Sequence, residues 1–273
     1  MKLLPRTKKD IVASLARVAT CVAVVFTILY FIQERILFMP STLADDAKFD
    51  FIGKVEEHAF EVEGKKAHSL IFDRDSAKGL ILFLHGNAGD LSDWGYVAEE
   101  LVNRTGYGVW IVDYPGFGKS RGKIASEGQL HAFARSVYGE VQKILGNRRL
   151  IIYGRSIGTG LAVRLASENK ADALILESPY LSMTSLVSSK LAWLPSFLLR
   201  YPLPSNTWIT QVNVPVLVVH GEKDEVIPVQ QGESLAKLAK NSEFHSVKEA
   251  HHNDLRHFDE YWGALQAFLG KLN

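Results

Sequence analysis

The stretch Gly154-Arg155-Ser156-Ile157-Gly158 decides the fold of this chain, because it places a serine between two glycines where a strand meets a helix. Residues 149–153 before it are mostly apolar and predict a short buried strand, and residues 161–166 after it have the apolar face of a helix. A G-x-S-x-G sequence in that context predicts a nucleophile elbow, a turn too tight for a side chain at either glycine. We therefore expect the Ser156 hydroxyl at the carboxyl end of a sheet, beside a helix N-terminus with positive potential.

An acid is expected next, because a serine hydroxyl needs a histidine base and an acid that orients the base. With a serine elbow the chain order is serine, acid, histidine, each in a loop after a strand. Residues 214–220 form an apolar, β-branched run that predicts a buried strand, and Asp224 lies in the loop beyond it. Glu222 and Glu225 are alternatives in the same loop. We favour Asp224.

The histidine base is expected in residues 249–254, which contain the neighbouring His251 and His252. The side chains of two adjacent histidines cannot easily face the same way, so one would be the base and the other only its neighbour in sequence. We choose His252, with His251 as the alternative. His257 and Asp254 complete a cluster of metal-binding residue types, but no helical H-E-x-x-H motif and no cysteine pair accompanies it. We therefore expect neither a metal site nor a cofactor.

The oxyanion of the reaction needs two backbone N–H donors, and the sequence offers candidates for both. The N–H of Ile157, directly after the serine, is the first. Residues 79–84 predict an early strand, and the glycine-containing loop after it offers the N–H of Asn87, with Ala88 as an alternative. Glycines in such a loop allow the backbone to approach a ligand closely. His85 begins this loop, and we expect it to hold the loop by hydrogen bonds rather than to act as a base.

These motifs together resemble the α/β-hydrolase-fold serine hydrolases. The resemblance is strongest to a small membrane-anchored subgroup of bacterial uncharacterised hydrolases and eukaryotic depalmitoylase-like and lysophospholipase-like enzymes. It implies an α/β fold with a mostly parallel central sheet, helices on both faces, and a triad of Ser156, Asp224 and His252. In that subgroup a Gly-His-Asn-Asp string carries the histidine, and His251 stands here in place of the glycine. The matching motifs run in family order and cover the chain from about Arg35: residues 85–89, 113–120, 154–158, 177–179, 220–224 and 252–254.

The composition fits one globular catalytic domain. A chain of 273 residues suffices for a single α/β domain, and 47% hydrophobic with 22% charged residues is ordinary for an enzyme. The net charge of +1 and the lack of a long basic stripe argue against a nucleic-acid partner. Cys21 is the single cysteine, which excludes an intramolecular disulfide.

A membrane anchor is predicted near the amino terminus. Residues 11–32 are apolar apart from Arg17 and a few small polar residues, and as a helix they would be about 33 Å long, enough for a bilayer core of roughly 30 Å. A cleaved signal peptide is the alternative, but residues 30–34 lack a small-residue cleavage site. Four basic residues precede the span: Lys2, Arg6, Lys8 and Lys9. By the positive-inside rule they predict that the amino terminus is in the cytoplasm and that the catalytic domain is on the periplasmic or other extracytoplasmic side.

The predicted organisation is therefore a basic tail, a single span, a linker and a catalytic domain. These parts are residues 1–10, 11–32, 33–50 and 51–273. Within the domain we predict an antiparallel hairpin, parallel strands and the helices that separate them. The predicted hairpin strands are 55–62 and 65–72, a further strand is 108–112, the last strand lies near 243–248, and helices lie near 91–105, 126–145 and 229–240.

Residues 181–208 occupy the place where this fold hosts a cap. The segment is too short for a full lid, which predicts an open site. Its apolar residues, among them Trp193 and Phe197, are expected to line an acyl pocket or to touch the bilayer, and a helix that packs on the core is the alternative. The expected function is hydrolysis of ester or thioester bonds in acyl-containing substrates, lipids among them, through an acyl-enzyme. A peptidase of the same fold, or a catalytically silent membrane-tethered binding protein, is the alternative.

Overall fold

A computed structural model describes residues 7–73 and 77–272. Its centre is an eight-stranded sheet with the strand order β1-β2-β4-β3-β5-β6-β7-β8. The strands are β1 (Val55–Val62), β2 (Lys65–Phe72), β3 (Gly79–Leu84), β4 (Gly108–Asp113), β5 (Arg149–Arg155), β6 (Ala173–Glu177), β7 (Val216–Gly221) and β8 (Ser242–Val247). The helices are α1 (Lys8–Leu37), α2 (Leu91–Thr105), α3 (Glu127–Leu145), α4 (Gly158–Glu168), α5 (Met183–Lys190), α6 (Ser205–Trp208), α7 (Val229–Leu238) and α8 (Asp259–Gly270).

The sheet is mostly parallel, as the sequence predicts. Strands β1 and β2 form the predicted antiparallel hairpin, and β2 pairs antiparallel with β4. From β4 to β8 every pair is parallel. The central strands are buried along their length apart from Arg149 at the start of β5, because helices cover both faces. Residues of α2 and α8 fill the apolar core on one face, and residues of α3, α4 and α7 fill the core on the other.

The parallel strands bring the functional loops to one edge of the sheet. The carboxyl ends of β3, β5 and β7 point the same way, since β3 pairs in parallel with β5, β5 with β6, and β6 with β7. The loop after β3 carries Asn87, the turn after β5 carries Ser156, and the loop after β7 carries Asp224. Side chains that are distant in sequence can therefore meet at this edge, which is where open α/β sheets bind ligands.

Helix α1 is long and apolar enough to cross a membrane. It has 30 residues, and its most apolar 18-residue window has a mean hydropathy of 2.2 with no residue buried inside the protein. A soluble core helix would bury that surface, so the exposure makes α1 a candidate membrane span. Thr7 and Asp10 form a capping box that fixes its first turn.

The carboxyl end of α1 is attached to the catalytic domain. The helix extends five residues beyond the predicted span and ends at Leu37, so the first part of the predicted linker is helical. Gln33 is the only buried residue among those of α1. Its side-chain amide donates to the Leu198 carbonyl at 2.7 Å and accepts from the Arg200 N–H at 2.9 Å. These two bonds fix the end of the helix against residues 198–200.

Candidate active site

Ser156 occupies a sharp turn between β5 and α4. Its backbone has φ +51°, in the left-handed region that residues with a side chain rarely adopt. A Cβ on Gly158 would lie 2.1 Å from the Leu84 carbonyl oxygen, and one on Gly154 would lie 2.7 Å from the Ala162 Cβ. Both glycines are therefore required for β5 and α4 to pack this closely, as the elbow sequence predicts.

A chain of hydrogen bonds connects Ser156 to His252 and Asp224. The distance from Ser156 Oγ to His252 Nε2 is 3.0 Å, and that from His252 Nδ1 to Asp224 Oδ2 is 2.7 Å. All three residues are buried. They come from the turn after β5, the loop after β7 and the loop after β8, which is the chain order predicted from the sequence.

The alternative residues lie outside this chain of bonds. His251 is exposed and its Nδ1 lies 3.0 Å from Glu225 Oε2, so the two alternatives pair with each other at the surface. Glu222 is also exposed and accepts a hydrogen bond from Ser246 Oγ at 2.8 Å. The structure thus brings His252 and Asp224, and not their neighbours, to the serine.

The Asp224 carboxylate is held ionised by its surroundings. Burial alone would raise the pKa of Asp224, but hydrogen bonds from His220 and His252 hold it well below the usual value. His220 Nε2 lies 3.2 Å from Asp224 Oδ2. The backbone N–H groups of Val226 and Ile227 donate to the other oxygen, Oδ1, at 2.9 and 2.7 Å. A carboxylate with this many donors can orient an imidazole and stabilise its protonated form.

The predicted oxyanion donors differ in availability. The Ala88 N–H donates to the Phe38 carbonyl at 2.8 Å, so it is already engaged. Within residues 7–73 and 77–272, no protein acceptor is found for the N–H of Asn87 or of Ile157. Both residues line the cavity at Ser156. Asn87 and Ile157 therefore remain available to a developing oxyanion, whereas Ala88 does not.

His85 lies beneath this loop in a fully buried position. Its Nδ1 donates to the Gly86 carbonyl at 2.7 Å, and its ring packs 4.2 Å from that of Tyr114. The Tyr114 hydroxyl donates in turn to the His85 carbonyl at 2.8 Å. Burial lowers the pKa of His85 to about 4, so the ring is neutral near pH 7. Its contacts are those of a residue that supports the loop.

A cavity of about 300 Å³ opens above the serine and is mostly apolar. Part of its wall comes from the last turn of α1, through Ile36 and Leu37, and another part from α5, through Met183 and Leu186. The apolar part of this lining can hold a hydrocarbon chain.

Comparison with known proteins assigns the chain to a family. The family model described as the alpha/beta hydrolase fold matches residues 79–204. The alpha/beta hydrolase domain-containing protein 17B of Xenopus laevis is 34% identical over 202 residues, which are 72% of this chain and 68% of that protein. The chain belongs to the α/β-hydrolase family.

Other α/β hydrolases are similar over much of the chain. Lysophosphatidylserine lipase ABHD12 of Danio rerio is 31% identical over 206 residues, covering 67% of this chain and 53% of that protein. Among solved structures, a bacterial membrane phospholipase A shares the fold with a TM-score of 0.62 and 20% identity. That likeness covers 97% of this chain and 99% of the phospholipase.

Arg155 and Glu177 form a buried ion pair behind the site of this α/β hydrolase. No role was predicted for either residue from the sequence. Arg155 Nε donates to Glu177 Oε1 at 2.8 Å, and Arg155 Nη2 donates to the His252 carbonyl at 3.2 Å. The Tyr153 and Tyr261 hydroxyls both donate to Glu177 Oε2. The ion pair therefore connects the end of β6 to the loop that carries the histidine. Arg155 and Glu177 are the last residues of two neighbouring parallel strands and are partners in register. Opposite charges at the ends of two such predicted strands are the signal that could have indicated the pair.

Trp193 and Phe197, predicted as substrate-binding residues, lie away from the cavity at Ser156. Neither is among its lining residues, and their exposed fractions are 60% and 80%. The Trp193 ring stacks on Phe26 of α1, with ring centroids 6.3 Å apart. The segment between α5 and α6 thus extends along the candidate membrane span, and α5 itself supplies the cavity wall, through Met183 and Leu186.

Proposed function

We propose that this α/β hydrolase is a membrane-anchored serine hydrolase that cleaves ester or thioester bonds of acyl substrates. Ser156 is the nucleophile, His252 the general base and Asp224 the residue that orients it. The observation that carries the proposal is the unbroken hydrogen-bond chain from Ser156 Oγ through His252 to Asp224 Oδ2. An apolar cavity directly above the serine supports an acyl substrate.

In the first step, Ser156 Oγ attacks the carbonyl carbon of the ester or thioester while its proton moves to His252 Nε2. The Asp224 carboxylate stabilises the imidazolium that forms. The negative charge on the former carbonyl oxygen is stabilised by the N–H groups of Ile157 and Asn87, each donor being worth about 3 kcal/mol in such sites. Collapse of this intermediate transfers the proton from Nε2 to the leaving alcohol or thiol and leaves an acyl-serine.

In the second step, water replaces the alcohol or thiol. His252 Nε2 removes a proton from the water as its oxygen attacks the acyl-serine carbonyl. The same two N–H groups stabilise the second oxyanion. Collapse returns the proton to Ser156 Oγ and releases the carboxylic acid, so the enzyme is restored without a cofactor.

The membrane is the expected source of the substrate. The cavity wall includes Ile36 and Leu37, at the end of the candidate span, which supports a site next to the bilayer surface. Two proteins similar to this chain carry names that refer to lipid hydrolysis, lysophosphatidylserine lipase and membrane phospholipase A. The basic residues before the predicted span, residues 11–32, support a single span with a cytoplasmic amino terminus and an extracytoplasmic catalytic domain.

The proposal can be tested on the full chain purified in detergent. Wild type, Ser156→Ala and Ser167→Ala would be treated with a fluorescent fluorophosphonate, and the label per protein molecule would be measured. Ser167 lies at the far end of α4 and serves as a matched serine control. We expect stoichiometric labelling of wild type and Ser167→Ala and no labelling of Ser156→Ala.

Turnover would then be measured with ester and thioester series of increasing acyl length. We expect loss of Ser156 to lower kcat by several orders of magnitude. Folded wild-type protein that neither takes the label nor hydrolyses any member of either series would refute the proposed activity and favour a binding role.

A further inference from the structure

We propose that residues 38–43, the strap that follows α1, are a positioning element of the active site that holds the oxyanion loop in place. This inference rests on the proposed hydrolase function. It assigns the membrane-proximal chain a part in the reaction, beyond tethering the domain to the bilayer.

The strap is hydrogen-bonded to the loop that contains Asn87. The Phe38 carbonyl accepts from the Ala88 N–H at 2.8 Å, and the Ser41 N–H donates to the Gly89 carbonyl at 3.3 Å. Pro40 and Gly89 form a parallel β-bridge. The residue that offers the oxyanion N–H, Asn87, is thus the direct neighbour of the residue that the strap binds.

The loop needs such support because its backbone is strained. Ala88 has φ +64°, in the left-handed region that is unfavourable for a residue with a side chain. Strained residues of this kind persist only where surrounding contacts hold them. The hydrogen bond from the Ala88 N–H to Phe38 is such a contact, and it acts directly on the strained residue.

The strap is also bonded to a second loop at the same edge of the sheet. The Gly118 N–H donates to the Ser41 carbonyl at 2.8 Å, and the Leu43 N–H donates to the Gly118 carbonyl at 2.9 Å. The Ser41 hydroxyl donates to the Asp90 side chain, which caps the first turn of α2. The strap therefore links the loop after β3 to the loop after β4, much as an added short strand would.

The membrane side of the strap is equally fixed. The Phe38 side chain is 1% exposed and packs edge-on against Tyr201 with ring centroids 5.2 Å apart. One turn earlier, Glu34 accepts a hydrogen bond from the Tyr201 hydroxyl at 2.9 Å and pairs with Arg200. These contacts set the position of Phe38, and through its carbonyl the position of Ala88.

Loosening the strap should impair the transition state more than substrate binding. An oxyanion donor acts only on charge that develops during the reaction, and loss of one donor costs about 10²–10³-fold in kcat. An N–H donor that is displaced but still present would keep part of its stabilisation of the oxyanion. We therefore expect about a tenfold fall in kcat when the strap loses one of its side-chain attachments, with KM changed by no more than about twofold.

The test uses the full chain in detergent with the substitutions Phe38→Ala and Ser41→Ala. Ile52→Ala is the control, because Ile52 follows the strap in sequence and is 88% exposed. Active sites would be counted by fluorophosphonate labelling, and kcat would be expressed per labelled site. The affinity for an alkyl trifluoromethyl ketone, which forms a tetrahedral adduct with the serine, would be measured in parallel.

We expect both strap variants to lose kcat per labelled site and ketone affinity by the same factor, and Ile52→Ala to match wild type. Fewer labelled sites with unchanged kcat per site would mean that the strap only stabilises the fold, and would overturn the inference. Ser41→Ala keeps the test decisive if Phe38→Ala does not fold. An inactive wild type would refute the proposed function itself and this inference with it.

Discussion

At the scale of single residues, the site depends on a buried charge pair that holds the candidate base from behind. Arg155 follows directly on the first glycine of the elbow, and its guanidinium lies 4.9 Å above the Trp94 ring. Besides Glu177 it binds the His252 carbonyl and the Asn253 side chain. Neighbouring residues of one turn therefore serve two purposes, since Ser156 faces the cavity and Arg155 fixes the histidine loop.

Glu177→Gln should weaken both the fold and the reaction. The substitution leaves the Arg155 charge buried without its carboxylate, and breaking a buried pair in this way costs about 3–5 kcal/mol of the free energy of unfolding. The His252 loop would also lose its anchor, so we expect kcat to fall about tenfold or more. Urea unfolding and ester turnover per labelled site would measure the two effects.

Glu222→Gln provides the control for this substitution. The Glu222 side chain is exposed and accepts a hydrogen bond from Ser246 Oγ, so the free energy of unfolding and the kcat of Glu222→Gln should match those of wild type. A Glu177→Gln protein with wild-type kcat per labelled site would show that the ion pair does not position His252.

At the scale of elements, the cavity is formed where α1 and α5 meet the loops of the sheet. Ser182 caps helix α5 by accepting a hydrogen bond from the Ser185 N–H, and the helix presents Met183 and Leu186 to the cavity. The end of α1 forms another part of the wall, through Ile36 and Leu37. Acyl-chain preference should therefore depend on α5 and not on the exposed segment that follows it.

Leu186→Trp should shift the preference toward shorter acyl chains. The larger side chain would fill part of a cavity of about 300 Å³, so long chains would lose room while short chains would still fit. Because each misplaced methylene costs about 1–3 kcal/mol, kcat/KM for long-chain esters should fall at least tenfold relative to butyrate esters. Steady-state kinetics on an ester series in detergent would measure the ratio.

Trp193→Ala should leave that ratio unchanged, because Trp193 does not line the cavity. If the chain-length preference changed with Trp193→Ala and not with Leu186→Trp, the exposed segment and not α5 would bind the acyl chain. Comparing the two variants therefore distinguishes a residue that contacts the membrane from one that binds the acyl chain of the substrate.

At the scale of the whole molecule, the segment between α5 and α6 accompanies the candidate span. Phe26, which Trp193 contacts, lies six residues before the end of the predicted span, or roughly 9 Å along the helix. Leu191 and Phe197 of the same segment are also exposed. If α1 crosses the bilayer, this segment should enter the interfacial region beside it, where tryptophan is favoured.

Tryptophan fluorescence offers a direct measurement of that insertion. The chain has five tryptophans, and Trp94, Trp110, Trp208 and Trp262 are buried, so quenching by bilayer lipids reports Trp193. We expect lipids brominated on the acyl chain to quench wild type in vesicles. Trp193→Phe should lose most of this quenching, and equal quenching in both proteins would contradict membrane contact at this residue.

Much of the fold was predictable because the signals are local. The hairpin, the helix at 91–105 and the parallel order of the later strands follow from apolar runs and turn residues, and the structure has them at the predicted places. The end of α1 was less predictable. Its last five residues look polar enough for a linker, and they are helical because Gln33 and Glu34 find partners on a segment more than 160 residues away.

The sequence by itself determined the elbow, the sheet and the candidate span, because backbone sterics and hydropathy act between near neighbours. Only the tertiary structure decided which of two adjacent histidines reaches Ser156, since that depends on a contact across 96 positions. It also placed Trp193 on α1 instead of in the cavity, and it revealed the strap and the Arg155–Glu177 pair. Each of these depends on where distant segments meet, which no local pattern encodes.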